Sequence, residues 1–210
     1  MADIKSTVAG YLLQSKAIIL QTTKPFIWAS GWHSPIYCDN RITLSYSDIR
    51  TAIKMAFVQT ISDQFPASDV IAGVATGAIA QGALVADEMN LPFIYVRASA
   101  KGHGRRNMVE GRFSSGQKVV VVEDLVSTGG SSLKAVEALR GAGAEVMGMV
   151  AIFSYGFQAA ADNFREADIK LVTLTDYHTL IQTALETGDI RQEQLEMLQQ
   201  WRKDPATWNR

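Results

Sequence analysis

The sequence predicts an α/β fold in which a central parallel sheet is flanked by helices. Three observations lead to it. Val119 to Val122 are four consecutive valines. They have no helical period, which marks a strand buried on both faces, as in parallel sheets. From residue 69 onward, strand-length apolar runs alternate with helix-length runs, the pattern of βαβ units with right-handed crossovers. The chain has 210 residues, 47% of them hydrophobic, which suits one domain that buries a core without staples.

Each element follows in order. Residues 3–15 read as a helix with Val8, Leu12 and Leu13 on one face. Residues 17–21 and 25–28 read as short strands, and Gly31 marks a turn. Residues 34–39 are extended, because a residue before proline, here Ser34 before Pro35, is pushed out of the helical region. Ser47 or Asp48 is expected to cap a helix to about Gln64, with Ile49, Ile53, Phe57 and Ile61 at helical spacing. Strand 69–75 then turns through Thr76-Gly77-Ala78 into helix 79–89. Strands 92–97 and 118–122, helix 131–141, strand 144–153, a helix around 157–167 and strand 169–174 complete the alternation. Residues 177–203 read as two more helices, with Trp201 and Trp208 packed or at an interface.

Chemistry concentrates directly after the valine run. Glu123 and Asp124 stand where that strand reaches its carboxyl end, and Leu125 and Val126 lead into Ser127-Thr128-Gly129-Gly130-Ser131-Ser132. Glycines that let backbone N–H groups turn inward, hydroxyl donors and the positive end of the next helix form a phosphate cradle. The two acids would repel that phosphate. They are therefore expected to face sugar hydroxyls, or a divalent cation bridging to more phosphate. The loop has neither a Gly-Lys-Ser/Thr nor a GxGxxG pattern, so it is neither a Walker loop nor a dinucleotide fingerprint. Ligands of parallel sheets bind beyond the strand carboxyl ends, where this loop and the 76–78 turn both fall.

The alternation fails between 98 and 117. That stretch holds Lys101, His103, Arg105, Arg106 and Arg112, with Glu110 as its one acid and glycines at 102, 104, 111 and 116. A long cationic loop with glycine hinges inside a compact domain predicts a mobile lid over anions.

Composition excludes several classes. Lys plus Arg total 20 against 21 Asp plus Glu, which argues against a nucleic-acid or membrane partner. No apolar run reaches the ~18 residues of a spanning helix, and the one cysteine, Cys38, has no internal disulfide partner. His33, His103 and His178 show no metal-ligand spacing. A cytoplasmic protein is expected.

With these residues in view, 119–132 resembles the ribosyl-diphosphate signature of the type I phosphoribosyltransferases. Arg97, Lys101, His103 and Gly104 stand as Arg-x-x-x-Lys-x-His-Gly, which resembles the loop of the orotate phosphoribosyltransferase branch. The likeness extends over nearly the whole chain, through 28–41, 71–82 and 150–157. It implies one phosphoribosyltransferase domain over 1–210, with N-terminal hood elements at about 1–45 and a lid at about 98–117. It also implies transfer of the phosphoribosyl group from 5-phosphoribosyl 1-diphosphate to orotate, with Mg2+, in a homodimer. Arg97, Lys101 and His103 would act on the neighbouring subunit's diphosphate. Glu123, Asp124 and residues 125–131 would hold the ribose phosphate, and Ser127 would also touch orotate. Lys101, His103 and Asp124 would be catalytic.

The chain departs from that pattern at several positions. Ala29, His33 and Ala98 stand where some members carry lysines, and Gly77-Ala78 exchanges the usual Ala-Gly. Ser154-Tyr155-Gly156 lacks an arginine that some members use for the orotate carboxylate, so Arg41 or backbone amides near Tyr37 and Cys38 are expected to replace it. A transferase for another base and a non-catalytic sensor of ribosyl diphosphate are the competing expectations.

Overall fold

A computed structural model describes residues 3–28, 31–98 and 108–208. Helix α1 (Ile4–Gln14) is followed by four short strands, β1 (Ile18–Leu20), β2 (Phe26–Ile27), β3 (His33–Ser34) and β4 (Ile36–Cys38). β1 pairs antiparallel with β4 and β2 with β3, so these strands form two small ribbons outside the main sheet. A 3-10 turn over Asn40–Ser45 leads into α2 (Ser47–Gln64), whose buried face is the expected Ile49, Ile53, Phe57 and Ile61. The cap differs from expectation: Tyr46 occupies that position with no side-chain bond, and Asp48 lies in the first turn. An acid there complements the positive helix end without capping it.

The alternation then runs β5 (Val70–Val74), α3 (Ile79–Glu88), β6 (Phe93–Val96), β7 (Val109–Glu110), β8 (Lys118–Val126), α4 (Gly130–Gly141), β9 (Glu145–Ser154), α5 (Gln158–Glu166), β10 (Leu171–Asp176), α6 (Tyr177–Glu186) and α7 (Gln192–Lys203). The six-stranded sheet has the order β10-β9-β8-β5-β6-β7. Every pairing in it is parallel except that of the edge strand β7 with β6. From β5 the chain first crosses to β6 on one side, then returns to β8 on the other. The β5–β8 seam is therefore the topological switch point, where a crevice opens beyond the strand ends.

Two features correct the sequence reading. The valine strand does not stop at Val122. Its pairing with β9 continues through Glu123↔Ala151 to Val126↔Ser154, so the acid pair lies within the strand. Two adjacent polar residues erase the apolar signal, while the backbone ladder continues regardless. The 98–117 stretch is also not wholly without structure, because Val109 and Glu110 pair with Val96 and Tyr95. Two residues are too few to show a period.

The sheet is buried on both faces. Val120, Val122, Val150 and Ile152 pack with α1, α2, α3, α6 and α7, while Val119, Val121, Met149 and Ala151 pack with α4 and α5. Trp201 is fully buried and Trp208 packs against the same core, so both are packing residues. Among the described residues no helix is long and apolar enough to cross a membrane.

Candidate functional site

The switch point holds three pieces: the 76–78 turn after β5, the end of β8 and the loop leading into α4. Alternation along β8 sends the adjacent carboxylates in opposite directions. Glu123 turns toward α4 and is only 4% exposed. Its Oε2 accepts a hydrogen bond from Ser132 Oγ at 2.8 Å and its Oε1 one from the Asp124 N–H at 2.9 Å. Burial, followed by the neighbouring Asp124 carboxyl, pushes the Glu123 carboxyl up to about 8, against the two hydrogen bonds that favour the anion. Asp124 turns toward the 76–78 turn. A Cβ on Gly77 would collide with the Asp124 carboxylate, so the carboxylate rests directly on that glycine's backbone.

Within the turn, the peptide bond between Ala75 and Thr76 is cis. The N–H groups of Ala78 and Ile79 are committed to the carbonyls of Val74 and Thr76. Asn40 supports the strand end from the hood side, its Nδ2 donating to the Asp124 carbonyl at 2.6 Å.

The loop beyond β8 is held from outside. Gly129 caps α4 at φ 84, and a Cβ there would meet the Phe164 ring at 2.7 Å. Asn163 Nδ2 donates to the Thr128 carbonyl at 2.9 Å. No acid stands in the first turn of α4, so its positive end is left for an anion.

Beside the loop lies a cavity of about 440 Å3 lined by Ile27, Trp28, Tyr37, Cys38, Leu125, Ser127 and Tyr155. Its aromatic and aliphatic walls suit one flat ring. Burial and the charges of Asp124 and Asp39 push the Cys38 thiol up, so it is neutral. Burial does the same for the Tyr155 phenol. A smaller cavity of about 230 Å3 lies between the ends of β5 and β6 and the first turns of α4, lined by Ala75, Arg97, Ser131 and Lys134 among others. Arg97 Nη1 stands 3.7 Å from Glu110 Oε1 there.

The structure thus brings Asp124 and residues 125–131 together, places Glu123 behind them and sets Arg97 at the adjoining strand end. Lys101 and His103 lie outside the described residues. Arg41 is exposed and paired with Asp39, at 2.7 and 2.8 Å, and does not line the ring cavity. Its guanidinium holds the Asp39 carboxyl below its usual range. Tyr37 and Cys38 do line the cavity. Sequence reasoning missed Asn40, Asn163, Phe164 and Ser132 as supports. Of these, only Ser132 carried a signal, as the last hydroxyl of the cradle run.

Comparison with known proteins agrees with this geometry. The phosphoribosyl transferase domain family matches residues 45–186. An orotate phosphoribosyltransferase of Porphyromonas gingivalis is 57% identical over 208 residues, covering 99% of each chain. One of Bacillus cytotoxicus is 52% identical over 97% of each. The crystal structure of orotate phosphoribosyltransferase from Aeropyrum pernix superposes with a TM-score of 0.76 at 28% identity, over 88% of this chain and 99% of that one. A hydroxyl- and glycine-rich loop at a helix N-terminus and an aromatic-walled cavity meet at the switch point, and the family match with relatives 52–57% identical over nearly the whole length places this chain in the phosphoribosyltransferase family, in its orotate phosphoribosyltransferase branch.

Proposed function

We propose that the chain transfers the 5-phosphoribosyl group from 5-phosphoribosyl 1-diphosphate to orotate, releasing diphosphate and giving orotidine 5′-phosphate. This is a cytoplasmic step of pyrimidine biosynthesis. The observation that carries the reading is the adjacency of the phosphate cradle, Asp124 and the ring cavity, with Ser127 bordering both cradle and cavity. One site then holds phosphate, ribose and base in that order, as the reaction requires.

The residues divide the work by charge. The 127–131 loop and the positive end of α4 bind the 5-phosphate. Asp124 accepts from the ribose hydroxyls and stands near the positive charge that develops on the sugar ring. The walls of the ring cavity orient the attacking pyrimidine nitrogen toward C1 and exclude water that would hydrolyse the activated sugar. Displacement at C1 inverts its configuration. Arg97, Lys101 and His103 supply cations to the leaving diphosphate of the neighbouring subunit in a homodimer, a role worth a few kcal/mol per well-placed donor.

Magnesium is tested by the donors present. Among the described residues no group of three or more His, Cys, Asp or Glu could hold an ion, and Glu123 is committed to Ser132. Asp124 offers a hard carboxylate oxygen beside the 76–78 turn. That set fits an ion carried mainly by substrate oxygens. When bound, magnesium supplies positive charge against the diphosphate.

The test is consumption of orotate by the purified protein with ribosyl diphosphate and magnesium, with uracil, hypoxanthine and adenine in parallel. Orotate alone should disappear, and Asp124→Asn should slow turnover by about 100-fold. Consumption of a different base, or an unaffected Asp124→Asn variant, overturns the assignment.

A further inference from the structure

The two main walls of the ring cavity come from distant parts of the chain. Trp28 belongs to the hood hairpin of β2 and β3, and Tyr155 follows β9. Behind both lies α7, which lines none of the cavity yet bonds to each wall. Trp201 is 0% exposed, and its Nε1 donates to the His33 carbonyl of the hairpin at 3.1 Å. Its ring lies edge-on to Trp28 at 5.6 Å and to Tyr155 at 6.0 Å. The next residue, Arg202, reaches the other wall. Its Nε donates to the Tyr155 carbonyl at 3.0 Å and its Nη2 to the Gly156 carbonyl.

Gly156 itself is shaped for this contact. It stands at φ 65, and a Cβ there would lie 2.9 Å from Arg202 Nη2. The helix is in turn fixed to α6 by the Tyr177 hydroxyl, which donates to the Leu198 carbonyl at 3.0 Å.

We propose that α7 is a brace that sets the spacing of the two cavity walls, and that Arg202 is a positioning residue for base binding. Two hydrogen bonds from one cation to consecutive carbonyls fix the backbone on which Tyr155 is mounted. Trp201 fixes the opposite hairpin relative to that backbone. A wall displaced by a fraction of an ångström loosens the ring, while the phosphate cradle, held by α5, is untouched. The inference rests on the reading that this cavity receives orotate.

The experiment compares Arg202→Met and Arg202→Lys with the unaltered protein, reading KM for each substrate separately. Arg202 is exposed, so neither variant removes core. Arg202→Met should raise KM for orotate about tenfold and leave KM for ribosyl diphosphate within about twofold. Arg202→Lys, which keeps one charged donor, should recover part of the loss. Quenching of tryptophan fluorescence by orotate should move to higher concentration in parallel, since Trp28 lines the cavity and Trp201 packs against it from behind.

Equal rises in both KM values, or an unchanged orotate KM, overturn the brace. Ser127→Ala and Tyr37→Ala, run alongside, separate the two readings. If they raise the orotate KM and Arg202→Met does not, only the brace fails; if neither moves it, the cavity is not the base site. Should Arg202→Met not fold, Arg202→Lys carries the same comparison.

Discussion

Asp124 and Gly77 constrain one another. The carboxylate occupies the space in which any side chain on residue 77 would begin. In Gly77→Ala the flexible carboxylate must move, while the backbone need not. Folding should therefore be little affected and chemistry strongly so. The melting temperature is expected to stay within a few degrees while kcat/KM for ribosyl diphosphate falls at least about tenfold. A variant with intact kinetics would show that Asp124 has room to spare. The exchange of Ala and Gly in Thr76-Gly77-Ala78 was visible in the sequence, but its reason was not, because the contact spans residues 77 and 124. Glu123 gives a second residue-scale expectation. Its carboxyl, ordinarily near 4.5, is raised to about 8 in the folded chain, chiefly by burial. Between those values the folded state keeps a proton that the unfolded state releases. Stability from this group is thus complete below the lower value, lost as pH rises through the window, and constant above it. The loss is on the order of a few kcal/mol. Denaturant unfolding of the metal-free protein should show a decline from about pH 4.5 to 8 that Glu123→Gln flattens. An unchanged slope in that variant places the decline elsewhere.

At the scale of elements, the cradle depends on α5 as much as on its own glycines. Gly129 holds a left-handed conformation and lies against Phe164, so Gly129→Ala meets both backbone strain and a ring. A cost of ~1–3 kcal/mol follows, read as a melting temperature lower by several degrees, together with weaker ribosyl-diphosphate binding. A variant as stable as the parent would mean that the loop adapts. The five parallel strands and their helices were legible in the sequence, since each carries a long apolar run or a clear helical stripe. The acid pair and the hydroxyl-glycine loop were equally plain. The hood was less so, because strands of two or three residues are specified by their partners rather than by any period of their own. The true length of β8 was hidden for a related reason, as Glu123 and Asp124 look like the end of a strand but sit inside its ladder with β9. Asn40 and Asn163 act through backbone carbonyls far away in sequence, a relation that no local pattern encodes.

For the whole molecule, the proposed sharing of sites between subunits has a quantitative signature. A Lys101→Ala chain and an Asp124→Asn chain are each deficient at both sites of their own dimer. In a random mixture half the dimers are hybrids, and each hybrid has one site that draws an unaltered Lys101 from one chain and an unaltered Asp124 from the other. Mixing, with unfolding and reassembly, should therefore restore roughly a quarter of the parent activity. Activity no higher than the mean of the two variants would mean that each chain serves its own site.

The small strand β7 limits how such sharing can be arranged. By pairing with β6, it returns the chain to the sheet edge it had just left, and the Arg97 N–H bonds the Met108 carbonyl at 2.9 Å. The chain thus leaves the sheet at Arg97 and rejoins it at Met108, after ten intervening residues, at nearly the same point. Fully extended, such a loop reaches no farther than about half its contour, roughly 17 Å. Any partner phosphate that Lys101 or His103 serves has to lie within that radius of Arg97 plus the length of one side chain and its hydrogen bond, which confines the proposed dimer to geometries that bring one subunit's β6–β7 edge up to the mouth of the other's crevice.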